Sequence, residues 1–142
     1  MSSRNTSALK KLIYDTLAAS APLETLLTGS GRIRHGNPMD LSEYPLVVYE
    51  IMGESDEPYA PDLPTSITRT RVNITSFSNS VGSGQADAMD DEIYGLLHGN
   101  GTLTNGDIKV FSFYRASRIP FFEGVTKVWR VESRYDVVNV AL

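Results

Sequence analysis

A Gly/Ser segment is the first part of this sequence that could bind a ligand. Gly82, Ser83 and Gly84 lie between a predicted strand and a predicted helix, where a phosphate-binding loop would stand. The third glycine of a dinucleotide-binding motif is missing, and no Gly-Lys-Ser/Thr follows. The sequence therefore favours a flexible start of the helix with Ser83 as N-cap, and it predicts no cofactor.

Four carboxylates follow on the same predicted helix: Asp87, Asp90, Asp91 and Glu92. Side chains of this type are candidates for metal ligands or for acid–base catalysis. They also stand in the first turns of the helix, where the helix dipole stabilises negative charge. We predict a solvated, dipole-stabilising face, and we expect that replacing Asp87, Asp90 or Asp91 by Ala costs at most about 1 kcal/mol.

The remaining catalytic groups do not form a recognisable motif. His35 and His98 are the only histidines, and neither lies in a His-Glu-x-x-His motif or has a second ligand at metal spacing. No Gly-x-Ser-x-Gly elbow presents a serine nucleophile. The chain contains no cysteine, which excludes disulfides and thiolate zinc sites. The sequence predicts no catalytic residue, no metal site and no enzyme.

Arginines interleave with aromatic residues on the predicted strands, as they do on some nucleic-acid-binding sheets. The arginines concerned are Arg69, Arg71, Arg115, Arg118, Arg130 and Arg134. Glu132 and Asp136 alternate with the last two on one strand face, which favours cross-strand ion pairing instead. The net charge of −4 also gives no general attraction to nucleic acid or to an anionic membrane.

A strand that leads into a helix, over residues 68–99, organises the chain. Val72 and Ile74 alternate with polar residues, which predicts a half-buried strand over 69–77. From residue 85 the apolar spacing becomes helical, and Gly99 ends the helix. The apolar stripe of this helix comprises Ala86, Met89, Ile93, Leu96 and Leu97. So short a helix is marginal alone and must pack on a sheet.

The other elements follow from the same periodicities. Helices are predicted over 7–19 and 22–27, and strands over 44–52, 108–118 and 125–138, with a possible short strand at 32–34 and a loop onward to 43. This order predicts an α+β fold: a mainly antiparallel four-stranded sheet with helices packed on one face and a long projecting loop. The 142 residues are expected to form a single domain.

Two strands are apolar on both faces, which indicates that a neighbouring chain covers one side of the sheet. In the strand over 108–118, Ile108, Val110 and Tyr114 are predicted on one face, and Phe111 and Phe113 on the other. Tyr49, Phe111 and Phe113 are therefore candidate interface residues. The last strand has a cleaner alternation, with Trp129 central on its apolar face, so Trp129→Ala should cost about 3 to 5 kcal/mol.

The projecting loop is predicted over residues 53–67, which contain three prolines and four carboxylates: Glu54, Asp56, Glu57 and Asp62. Such a composition does not bury itself. We expect these carboxylates to pair with arginines of an adjacent subunit or of a partner ring. We also expect that deleting 54–64 leaves the monomer folded.

Together with an N-terminal helix that contains Leu-x-x-Leu-Ile and with the long acidic loop, three segments resemble the tail terminator, or tail-to-head joining, proteins of long-tailed bacteriophages. They are the strand Pro-Leu-Val-Val-Tyr at 45–49, the strand and helix Arg-Val-Asn-Ile-Thr-Ser-Phe…Ala-Asp-Ala-Met-Asp-Asp-Glu-Ile-Tyr-Gly-Leu-Leu-His-Gly within 71–99, and the final strand Glu-Gly-Val-Thr-Lys-Val-Trp-Arg-Val-Glu-Ser-Arg-Tyr at 123–135. The resemblance extends over about residues 9–138.

The resemblance implies a structural virion protein of the tail or neck, assembled in the host cytoplasm. Its partners would be its own copies in a ring, commonly hexameric, together with the tail tube protein and the head connector or stopper. The ring would end tube polymerisation, and DNA would pass through its lumen without specific binding. The sequence contains no run of 18 apolar residues, so we expect no membrane partner. The alternatives are another phage neck or tail-tube component of related fold, or a small ligand-binding or hydrolytic domain.

Overall fold

The computed structural model describes residues 3–28, 32–36, 44–57 and 67–141. Within these residues the helices are α1 (Ser3–Ala18), α2 (Ala21–Leu26) and α3 (Gly84–Leu97). The strands are β1 (Ile33–His35), β2 (Leu46–Glu57), β3 (Ile67–Ser78), β4 (Ile108–Glu123) and β5 (Val128–Ala141).

The strands form one five-stranded sheet in the order β1-β2-β3-β5-β4. β1 pairs with β2 in parallel, and all other neighbours are antiparallel. The α+β class is thus confirmed, but the predicted four strands are one too few. The fifth strand is β1, which overlaps the possible short strand predicted at 32–34 and is fixed by pairing with Val47, Val48 and Tyr49.

The helices pack on one face of this sheet, which we call the helix face. Residues of α1, α2 and α3 share one apolar core with the inward side chains of β2, β3, β4 and β5. α2 begins where the Ser20 side chain accepts a hydrogen bond from the Leu23 N–H, with Pro22 in the first turn. α3 ends as predicted, because Gly99 follows it with a φ of 75°. Ser83 is its N-cap by position, but the Ser83 side chain makes no capping hydrogen bond.

The predicted loop over 53–67 is wrong at both ends. β2 continues to Glu57 and β3 starts at Ile67, and the register pairs Glu54 with Thr70 and Glu57 with Ile67. Pairing with β3 keeps this acidic segment in an extended strand although its composition favours a loop. The register shifts at a bulge between Ile51 and Gly53. Residues 58–66, including Asp62, lie outside the described part of the chain. Deleting 54–64 would remove the paired end of β2, so the deletion should destabilise the fold.

Two bulges in β4 correct the predicted strand faces. The register shifts between Val110 and Ser112 and again between Arg115 and Ser117. The first bulge moves Phe113 onto the helix face, where it is buried with Val110, while Phe111 is exposed. β4 also continues beyond the predicted strand end at 118 as far as Glu123.

The alternation of β5 is confirmed. Val131, Tyr135 and Val137 are buried on the helix face, and the charged residues lie on the opposite face. The central position predicted for Trp129 is wrong, because this residue is only partly buried, near the start of β5, with its ring 4.7 Å from that of Phe122. Its truncation should therefore cost less than a core substitution.

Candidate assembly interface

A buried carboxylate connects α3 to the edge strand β4. Asp90 is 1% exposed, and its two oxygens accept hydrogen bonds from Ser133 Oγ at 2.6 Å and from Arg118 Nε at 2.9 Å. Arg115 Nη1 is 3.2 Å from the second oxygen. Because three donors surround one carboxylate, the negative charge is compensated although water is excluded.

The rest of this cluster strengthens the same connection. Arg118 also bonds Asp87 at 2.5 Å, and the Arg115 guanidinium lies 4.1 Å from the ring centre of Tyr94. Burial, followed by the nearby Asp90 charge, raises the pKa of the Tyr135 phenol above its ordinary value. The cluster ties one helix to two strands, which is a structural role.

The predicted solvated face is therefore wrong for Asp90, although Asp91 is exposed as expected. The sequence held a signal for this: Ala86, Asp90, Ile93 and Leu97 are spaced four, three and four residues apart, on one side of a helix. Ser133 is likewise between Val131 and Tyr135 on the apolar face of β5. A charged residue on an apolar stripe indicates a buried partner.

The segment after α3 closes the outer edge of the first half of β4. The Arg115 N–H donates to His98 Nδ1 at 3.0 Å, and the Gly99 N–H donates to the Phe113 carbonyl at 2.7 Å. The Val110 N–H donates to the Leu103 carbonyl at 2.9 Å. Gly101 approaches so closely that a Cβ there would stand 2.8 Å from the Phe111 carbonyl oxygen. These backbone groups of β4 are thus already paired.

β4 nevertheless exposes an unusual amount of apolar side chain, which we call the β4 apolar surface. Its residues are Phe111, Tyr114, Ile119, Phe121 and Phe122, each between 45% and 58% exposed. Exposed single apolar residues are common, but five large ones on one strand, with Phe121 and Phe122 on opposite faces of the sheet, favour a role in contacts with another molecule.

The sheet face opposite the helices is polar in its middle. Asn73 donates to Glu132 at 3.0 Å and accepts from Arg134 Nε at 3.3 Å, while Arg71 is 3.9 Å from Asp136. Cross-strand pairing of charges was predicted here, and the Arg71–Asp136 contact is of that kind. Arg130 is instead 4.7 Å from the ring centre of Phe121, next to the β4 apolar surface.

On the other side of the sheet, β2 is acidic, whereas the edge strand β1 carries Arg34. β2 carries Glu50, Glu54, Asp56 and Glu57 and has no Lys or Arg. Glu54 is exposed and accepts a hydrogen bond from the Thr6 hydroxyl of α1. His35 of β1 stands beside this end, and burial, followed by the Lys10 charge, lowers the pKa of its imidazole.

The structure separates the predicted interface residues into three groups. Glu54 and Phe111 are exposed, at opposite ends of the sheet. Asp56 and Glu57 are paired positions of β2 next to Glu54. Tyr49 and Phe113 are buried in the chain's own core, at 5% and 1% exposure, so they do not contribute to the surface of the monomer.

Within the described ranges, no group of three or more His, Asp or Glu side chains is placed to hold a metal ion. The helices of that same part of the chain are too short or too polar to cross a membrane.

Comparison with solved structures finds a similar fold in a virion particle. No family model matches the chain, and no curated protein matches it. A solved structure, that of the virion of a native gene transfer agent particle, contains a chain with a TM-score of 0.72 and 17% sequence identity. The similarity covers 96% of this chain and 97% of that one. The two chains therefore share the fold along nearly their whole length.

Proposed function

We propose that this chain is a structural virion protein of a phage-like particle, where it forms a ring at the head-proximal end of the tail tube. In this role the ring ends polymerisation of the tube and joins the tail to the head connector. DNA passes through the lumen without specific binding, in keeping with the net charge of −4 on each copy.

The observation that carries the proposal is the fold shared end to end with a chain of a gene transfer agent virion, a phage-like particle. The similarity covers both chains almost completely. The β4 apolar surface supports an assembling protein, because a free monomer gains nothing by exposing it.

The cluster around Asp90 is consistent with a structural role. Every hydrogen bond of its carboxylate goes to another residue of the chain, and two arginines and a serine occupy its oxygens. A catalytic carboxylate needs a free oxygen that faces a substrate. The geometry thus favours a support for the edge strand over an acid–base group.

Deletion of the gene, with complementation in trans, tests the proposal. We expect negative-stain images of the deletion lysate to show filled heads and separate tails of irregular length, and the intact gene to restore joined particles. Complete absence of tails would assign the chain to the tube itself, the second candidate, which has a related fold. Normal joined particles would refute a virion role and favour a ligand-binding or hydrolytic domain.

A further inference from the structure

The outer edge of β4 is closed by a side chain as well as by backbone groups. Residues 98–103, which follow α3, form these bonds, and one of them runs from the Gly99 N–H to the Phe113 carbonyl at 2.7 Å. The next acceptor along the edge is not a carbonyl. The Arg115 N–H donates to Nδ1 of the His98 imidazole at 3.0 Å. The imidazole therefore takes the place that the carbonyl of a neighbouring strand would have.

This hydrogen bond fixes the chemical state of the imidazole. A ring nitrogen that accepts an N–H has a free lone pair, so Nδ1 of His98 is unprotonated and the proton of the neutral ring is on Nε2. An imidazolium carries an N–H donor at both nitrogens. After protonation of the ring, two donors would face each other, and the Arg115 N–H would lose its acceptor.

Two aromatic rings hold the imidazole in this position. The His98 ring is stacked on Tyr94 of α3, with ring centres 4.3 Å apart and an angle of 19° between the planes. Its centre is also 5.0 Å from that of the Tyr114 ring of β4. Because His98 is half-buried between these rings, Nδ1 cannot turn to water unless the imidazole leaves the stack.

The charged groups beside the imidazole are already partnered. The titratable and charged residues that face it are Tyr94 from α3 and Tyr114 and Arg115 from β4. The Arg115 guanidinium lies 4.1 Å from the centre of the same Tyr94 ring and is 3.2 Å from Asp90. Among the residues that the structure describes, no Asp or Glu forms an ion pair with His98. A proton on Nδ1 therefore adds a positive charge that no carboxylate receives.

We propose that His98 is a pH-sensitive latch on the edge of β4. The neutral imidazole holds the start of the segment over 98–103 on this edge, and protonation of Nδ1 releases it. Histidine is the side chain whose charge ordinarily changes between pH 5 and 8, so the latch opens on mild acidification. The inference goes beyond the proposed function and does not depend on it, because it concerns the isolated chain.

Opening the latch changes the backbone that β4 presents. The Arg115 N–H and the Phe113 carbonyl lose the partners that now cover them. Native sheets often cover an edge strand with a loop, since unpaired backbone groups there can add a further strand. The closed latch covers this part of the edge at neutral pH, and the open latch exposes it.

Amide hydrogen exchange tests the latch on the full-length protein, labelled with 15N and followed by NMR at about pH 7.5 and about pH 5. The quantities compared are protection factors, which correct for the intrinsic effect of pH on exchange. We expect the protection factors of the Arg115 and Gly99 amides to fall about tenfold or more from the higher to the lower pH. The Val72 amide in the central strand β3 is the internal control and should change less than about twofold.

Three variants separate the charge of the imidazole from its hydrogen bond. His98→Asn places an amide oxygen as far from Cβ as Nδ1 is, where it accepts the Arg115 N–H without titrating. The Arg115 amide of this variant should stay protected and change less than about twofold with pH. His98→Ala removes the acceptor, so protection should be low at both pH values. His35→Gln replaces the only other histidine and should keep the full pH effect.

Four results would overturn the latch. They are a wild-type Arg115 protection factor that does not change with pH, a His98→Asn variant that keeps the full pH effect, a His35→Gln variant that loses it, and a proton found on Nδ1 of His98 by nitrogen NMR at neutral pH. Melting curves at both pH values check that each variant is folded. If His98→Asn does not fold, the exchange of the wild type and of His35→Gln, with the protonation of the His98 ring, decides the question.

Discussion

Replacing Asp90 by Ala should destabilise the fold far more than replacing its exposed neighbour on the same helix. Removal of one partner from a buried ion pair costs about 3 to 5 kcal/mol, because the remaining charge stays uncompensated. Arg115 and Arg118 are 22% and 29% exposed, so both guanidinium groups can regain some water. The expected loss is therefore at the lower end, about 3 kcal/mol, and it includes the hydroxyl of Ser133 left without its acceptor.

Thermal and urea unfolding of two matched variants measures this effect. A domain of this size loses about 3 °C of melting temperature per kcal/mol, so Asp90→Ala should melt about 10 °C below the wild type. Asp91→Ala, one residue further on the same helix and exposed, should change stability by less than about 0.5 kcal/mol. Asp90→Asn should be intermediate, because it keeps the shape and one acceptor but removes the charge.

The comparison has a clear refuting result. If Asp90→Ala and Asp91→Ala differ by less than about 1 kcal/mol, the buried cluster contributes nothing net, as some buried ion pairs do. The solvated face predicted from the sequence would then describe Asp90 better than the structure does.

Two further predictions concern the core. Phe113→Ala should cost about 4 kcal/mol, because Phe113 is fully buried against Tyr135. Trp129→Ala should cost only about 2 kcal/mol, because Trp129 is only partly buried. Urea midpoints rank the two variants, and the reverse order would contradict the burial of the bulged strand. Tyr135→Phe should reduce the loss of stability above pH 10. The folded protein keeps the Tyr135 phenol protonated, whereas the phenol of the unfolded chain ionises near pH 10, so the free energy of unfolding of the wild type falls as pH rises. Equal slopes of unfolding free energy against pH in the wild type and the variant would show that Tyr135 contributes nothing to this loss.

The periodic parts of the fold were predictable from the sequence. The stripe of α3 and the alternation of β5 depend on local spacing, and the structure keeps both. β1 is too short to carry a period, and only its pairing with β2 defines it. Strand bulges were not predictable, because one extra residue inverts every face beyond it; this is why Phe113 is buried and Phe111 is not.

The buried cluster was missed for a different reason. A carboxylate early in a helix has the same local signal whether it faces water or two arginines from a distant strand. Asp90 and Arg118 are 28 residues apart in the chain, and only the packing of α3 on β4 brings them together. The loop over 53–67 was predicted from composition, whereas the ladder with β3 extends β2 as far as Glu57.

The central claim concerns the place of the chain in the particle, and immunogold imaging of purified particles tests it most directly. Antibody against this protein should give one cluster of gold at the junction between head and tail, and on separated tails one cluster at the head-proximal end only. Gold spread along the tube, at the distal tip or over the head shell would contradict the account.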